Sequence, residues 1–335
     1  MISFSSVFAV ILAFTPVALI AESVEFRFSP PEGDQQVVTK RHTRAHHHSN
    51  QDGKKKVLTD VSETKVRTTA AKSGEGYSIV SETLESSLRR DEHNIASPML
   101  AAMTGLKLTY TISSEGKLES IEGYHGVLEN LKTKFPPVLM QTIGPLFNEQ
   151  SLRGQDQAEW HDRIGQFVGK TAEVGKAWTA TENYPLPTGG RVLLHKATIF
   201  ERWVDRGGSR CLQLRFIYHT DPVELAKLAN QVTKGTMEIP PDPEPAPPEL
   251  PAGITGGGTR VIDPATMKIY SEKITRTLKM ESKTPGQGVV PIEVVETREY
   301  IVEKEVEKEV EKEVEKEVEK EVEKEVEKEV EKETP

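Results

Sequence analysis

Between Val24 and Tyr124 apolar and polar residues alternate in short runs broken by turn chemistry. The clearest run sets Leu106, Leu108, Tyr110 and Ile112 against Lys107, Thr109 and Thr111. A period of two places one set on a core and the other in water, which predicts a half-buried antiparallel strand. SNQDG at Ser49, KSGEG at Lys72 and SSEG at Ser113 read as the turns between such strands. From Tyr124 to Gly169 the period lengthens. Trp160, Ile164, Phe167 and Val168 stand at i, i+4, i+7 and i+8, the apolar stripe of an amphipathic helix. Pro136, Pro137 and Pro145 bracket a further apolar, helix-like piece.

The alternation then returns. RVLLHKATIFERWV and RCLQLRFIYH flank a turn at residues 205–209 and predict a hairpin, with Leu212, Leu214, Phe216 and Tyr218 on one face. DPVELAKLANQV reads as a short helix with Asp221 as N-cap and Pro222 at its first position. PPDPEPAPPELP is a stiff polyproline-type connector, and strands are expected around residues 260–262 and 267–280.

The order is β-meander, helical insert, β-meander. The fold class expected is α+β: a large curved antiparallel β-sheet, half-barrel-like, with helices on its concave face. The alternative is two small β domains with helices between them. The division expected is an export signal over residues 1–21 and a β-rich domain over 22–283. Within that domain lie a helical insert at 124–170 and the connector at 238–252. A linker over 284–301 and a repeat tail over 302–335 complete the chain.

Charge separates the tail from the body. Sixteen Glu and eight Lys between Glu303 and Glu333 carry −8 of the chain's net −9. The nearly neutral body offers no basic face for nucleic acid. In the tail Val recurs every fourth residue from Val302 to Val330. In a helix that repeat advances about 40° beyond each full turn, so no apolar seam forms. A solvated spacer, single helix or disordered, is expected; the sharper reading is an arm that binds a protein partner. At the other end Val7 to Ile20 is an uncharged apolar run followed by small residues near Ala21. It reads as a cleaved export signal, the alternative being an uncleaved anchor. The mature protein is then expected in the periplasm or outside the cell, without a membrane span. Cys211 is the only cysteine, alternating with apolar neighbours as a packed thiol does.

Motifs that suggest chemistry fail on spacing. GQFVGKT has three residues between its glycines where a phosphate-binding loop has four, and it ends a helix where that loop begins one. LPTGG reads as a turn. In AEWHDR, neighbouring residues on a helix diverge, so Glu159, His161 and Asp162 are expected in water while Trp160 enters the core. In VVTKRHTRAHHH a strand would put Lys40, His42, Arg44, His46 and His48 on one face. His42, His46 and His48 are weak metal candidates needing a ligand from another strand, and an exposed basic strand end is the plainer reading. No catalytic motif is present, no cofactor is implied, and the chain is not expected to be an enzyme.

VGKAW at Val174 to Trp178, with TISSEGKLESIEG before it and TRVIDPATMKIYSEK near the end, resembles elements of an uncharacterised exported bacterial protein family of unknown function. The resemblance implies export and offers no catalytic residues. The order of sheet and helices is also similar to that of periplasmic lipoprotein-carrier-like half-barrels. The function expected is that of a non-enzymatic envelope protein holding an apolar small molecule or a lipid between sheet and helices. The lining candidates are Leu106, Leu108, Tyr110, Ile112, Trp160, Ile164, Phe167, Leu212, Leu214 and Phe216, for which an ordinary closed core is the plainer reading. The alternative is a structural or interaction module whose acidic tail is a spacer or docking arm.

Overall fold

The computed structural model describes residues 22–49, 55–135, 140, 148–185, 191–224, 226, 252–284 and 288–303. The expected signal, the Pro-bracketed helix, the Pro-rich connector and the tail beyond Glu303 lie outside these residues, as do the SNQDG turn beyond Ser49 and the LPTGG segment.

In chain order the elements begin with β1 (Ser23–Glu25), β2 (Gln35–Ser49), β3 (Lys55–Ser73), β4 (Gly76–Arg90), β5 (His93–Asn94) and α1 (Pro98–Met103). β6 (Lys107–Ile112), β7 (Leu118–Glu122), α2 (Tyr124–Lys134), α3 (Glu149–Trp160) and a π-helical turn (His161–Gly165) follow. The chain then forms β8 (Thr171–Glu173), β9 (Ala177–Pro185), β10 (Arg191–Arg206), β11 (Ser209–His219), β12 (Ala252–Ile262), β13 (Ile269–Thr284) and β14 (Gly288–Val302).

One large open sheet runs β7-β6-β4-β3-β2-β14-β13-β12-β11-β10-β9, and β5 adds to β4. The local devices are those the sequence supplies. Gly74 at φ +59° opens the two-residue turn between β3 and β4. Gly207 and Gly208, both at positive φ, make the hairpin turn between β10 and β11 a type that matches strand twist. Ser97 and Asn148 cap α1 and α3 by accepting the Leu100 and Ser151 N–H groups. The Asp221 carboxylate accepts the Val223 N–H at 2.8 Å, as its expected cap role requires; most of the segment beyond it lies outside the described residues.

The expected linker over 284–301 is overturned. β13 runs to Thr284, and β14 is a central strand, paired with β13 on one side and with β2 on the other from Val302↔Val38 to Ile292↔His48. Strands at opposite ends of the described chain thus join the two meanders into one sheet. The sheet also bends strongly. The Tyr184 hydroxyl on edge strand β9 donates to Glu296 on β14 at 3.0 Å, five strands away in sheet order. A flat sheet at about 4.8 Å per strand would hold them roughly 24 Å apart. Close backbone approach in β12 permits the bend: a Cβ on Gly258 would lie 2.2 Å from the Lys273 carbonyl oxygen and one on Gly256 2.3 Å from that of Thr275.

The main core fills the concave side of β9 to β13. Leu194, Phe200, Leu212, Leu214 and Phe216 are fully buried there, and Phe26 and Phe167 close over them from outside the sheet. A second cluster packs α1 and α2 against β6 and β7 through Ala102, Leu106, Leu108, Ile121, Tyr124 and Leu131.

Candidate functional site: a groove beneath the third helix

Between these two cores the concave face stays open. Its floor is set by alternation: Val38 and Lys40 of β2, Val66, Thr68 and Ala70 of β3, Ile79 and Ser81 of β4, and Tyr110 of β6. The residues in the middle of that floor are small. One wall is α3 with its π-helical turn, presenting Asp156, Glu159, Trp160, Arg163 and Ile164. The other is Phe28 and Pro30 before β2 together with Met267 to Ile269 at the β12–β13 turn. The groove encloses about 170 Å3. An apolar cavity of about 150 Å3 accommodates a benzene-sized molecule, so this one suits a ring or a stretch of alkyl chain.

Charge holds the helical wall down. Lys40 Nζ donates to Glu159 at 2.8 Å, and Arg163 reaches the same carboxylate at 3.3 Å. Lys40, then Arg163, hold the Glu159 carboxyl down to about 2, against the effect of burial. One turn on, Lys196 donates to Asp162 at 2.5 Å. Burial alone would raise Asp162, but Lys196 and Arg260 outweigh it and keep the carboxyl well below the usual range. Arg260, wholly buried, pairs with Glu272 and donates to the Asp162 and Arg163 carbonyls at 3.2 and 3.0 Å. A cation on the last carbonyls of a helix satisfies groups the helix itself leaves unpaired. Arg163 lies over the Tyr300 ring at 3.8 Å. The expectation that the neighbours of Trp160 point into water is therefore corrected for Asp162, because the π-helical turn rotates it onto the sheet.

Also bordering the groove, Lys268 donates to Asp34 at 2.8 Å. Asp156, in the same lining, is half-buried. Tyr110 donates to its Oδ2 at 3.3 Å, and Tyr124 donates to the same oxygen. Burial pushes the Asp156 carboxyl up, opposed by the Tyr124 hydrogen bond.

The structure sorts the predicted lining residues into three places. Tyr110, Trp160 and Ile164 border the groove. Leu106 and Leu108 belong to the smaller core. Ile112, Phe167, Leu212, Leu214 and Phe216 belong to the main core and do not border the groove. Sequence reasoning missed Val38, Val66, Ala70, Ile79, Met267, Ile269 and Asp156. The alternation of Val66, Thr68 and Ala70 was a usable signal; Met267, at φ +63° in a turn, gave none.

His42 is half-buried on the concave face, its pKa lowered by burial and its Nε2 without a hydrogen-bond partner among the described residues. His46 is half-buried as well, and His48 stands opposite Ile292 and Lys56 in register. Among the described residues no group of three or more metal-ligating side chains converges. Cys211 is fully buried, and burial pushes its thiol up to about 11, so it is poorly placed to act as a thiolate.

No protein-family profile and no curated protein matches the chain. Among solved structures it is similar to lipovitellin, known from work on its lipid–protein interactions, at 10% identity and a TM-score of 0.41. That likeness covers 82% of this chain, which spans only 25% of the lipovitellin chain. It is also similar to a Bacteroides fragilis protein of YmcC-like fold, named as exported, at 11% identity and a TM-score of 0.18, over 81% of this chain and 98% of that one. A third likeness is to DynF from the dynemicin pathway of Micromonospora chersina, at 7% identity and a TM-score of 0.16, over 84% of this chain and 85% of that one. At these scores the likenesses carry no argument about function.

Proposed function

We propose that the protein is a non-enzymatic exported protein that holds an apolar molecule, or the chain of a lipid, in the groove beneath α3. The observation that carries this reading is the groove itself. It is a concavity of about 170 Å3 whose middle is Val38, Val66, Ala70, Ile79, Trp160, Ile164, Met267 and Ile269, with paired charges at its rim. Apolar walls with a few placed polar groups are the usual form of a small-molecule site. Export is supported by the apolar run from Val7 to Ile20, and no helix among the described residues is long and apolar enough to cross a membrane.

Native mass spectrometry of protein purified from an exporting host is expected to show a bound apolar molecule, and a fluorescent fatty acid or decanol to be taken up. A clean mass of the chain alone, with no uptake of either probe, overturns the reading.

A further inference from the structure

We propose that the molecule held in the groove is a cationic amphiphile, an alkylammonium whose head sits between Asp156 and the faces of Tyr110 and Trp160. This rests on the reading above and narrows it. The argument begins with the carboxylates bordering the groove. Asp34 is paired with Lys268, and Glu159 with Lys40 and Arg163. Asp156 alone among the three has no cation within ion-pair distance among the described residues. Its Oδ2 is taken by two tyrosine hydroxyls, which fix the carboxyl and leave Oδ1 without a hydrogen bond from the described residues. Lys40 eases the Asp156 charge from beyond ion-pair distance, and a cation seated directly beside this half-buried carboxylate offsets more of its cost of burial.

The neighbouring walls suit the same head. Tyr110 and Trp160 border the groove with ring centroids 6.4 Å apart and planes inclined at 23°. An ammonium within about 6 Å of an aromatic centroid is attracted to the ring face, and clustered rings are how quaternary ammonium groups are recognised. From there Ile79, Val66 and Ala70 continue the floor as an apolar path for the chain. A carboxylate head fits less well. Lys40 is already engaged by Glu159, while Arg163 is stacked on Tyr300 and shared between Glu159 and Glu272. Arg163 keeps Nε and Nη2 without a hydrogen-bond partner among the described residues, so a carboxylate is the competing head that the test must include.

The test titrates the full chain calorimetrically with decyltrimethylammonium, decanol and decanoate, each below its micelle concentration. Decyltrimethylammonium is expected to bind about tenfold more tightly than the other two. Asp156→Asn, which keeps the shape and the acceptor for both tyrosines, should remove that preference, bringing decyltrimethylammonium to the affinity of decanol measured on the same variant. Tyr110→Phe, which keeps the ring face, should retain most of the preference. Decanol binding with no preference for the ammonium, or tightest binding of decanoate, overturns the inference and leaves the apolar groove standing. Binding of none of the three overturns both. If Asp156→Asn does not fold by circular dichroism, the ligand series on the unaltered chain decides alone.

Discussion

The two halves of the sheet carry the same alternation of side chains and end in different states. On β10 and β11 the concave positions include large apolar residues: Leu194, Phe200, Leu212, Leu214 and Phe216. Segments outside the sheet add rings to them, with Phe26 and Phe167 centroids 5.5 Å apart and Phe167 and Trp178 6.1 Å apart. On β2 to β4 the equivalent positions are Val38, Val66, Thr68, Ala70 and Ser81, and the aromatic side chains Phe28, Tyr110 and Trp160 border the space without filling it. Patterning brings both halves to the same face. Side-chain volume decides whether that face closes into a core or stays open as a groove.

The largest expected effect tests the closed half. Phe216→Ala removes a fully buried ring between Leu214 and Tyr218 and should cost about 3–5 kcal/mol in denaturant unfolding. A loss near zero would mean that this half is not the stabilising core. Next comes conversion of the open half into the closed one. Thr68→Leu adds volume to the groove floor; it should change stability by only about 1 kcal/mol and abolish uptake of decanol. Undiminished uptake would place the ligand elsewhere.

The smallest effect is electrostatic. Glu159 is held from an ordinary 4.5 down to about 2, so its contribution is complete above pH 4.5 and disappears as pH falls toward 2. Glu159→Gln should therefore be less stable than the unaltered chain above pH 4.5, with the two melting curves converging near pH 2. Because Glu159 is about half exposed, the gap should stay under about 1 kcal/mol. A constant gap across that range would show that the carboxylate does not tie α3 to the sheet.

The candidate site was legible only where one element's period revealed a face. Tyr110 was visible from the alternation of β6, and Trp160 and Ile164 from the helical stripe. Asp156 was not visible, because a lone Asp on a polar helix gives no sign that two tyrosines from β6 and α2 will meet it. The same strand pattern that gave Tyr110 also gave Leu108 and Ile112, which the structure places in two different cores.

The sequence alone determined the local devices: the strand–turn–strand order, the glycines that reverse the chain, the Asp221 cap, and the acidity confined to the repeat. Each depends on residues a few positions apart. It did not reveal β14. Pro291 argues against a central strand, Glu296, Arg298 and Tyr300 interrupt the apolar face, and the segment runs without a break into the repeat. Only the tertiary structure made it one, by pairing Ile292 to Val302 with His48 to Val38 and setting Arg44 against Glu296. That pairing spans most of the described chain, and its stability comes from backbone hydrogen bonds and cross-strand partners that no local window contains.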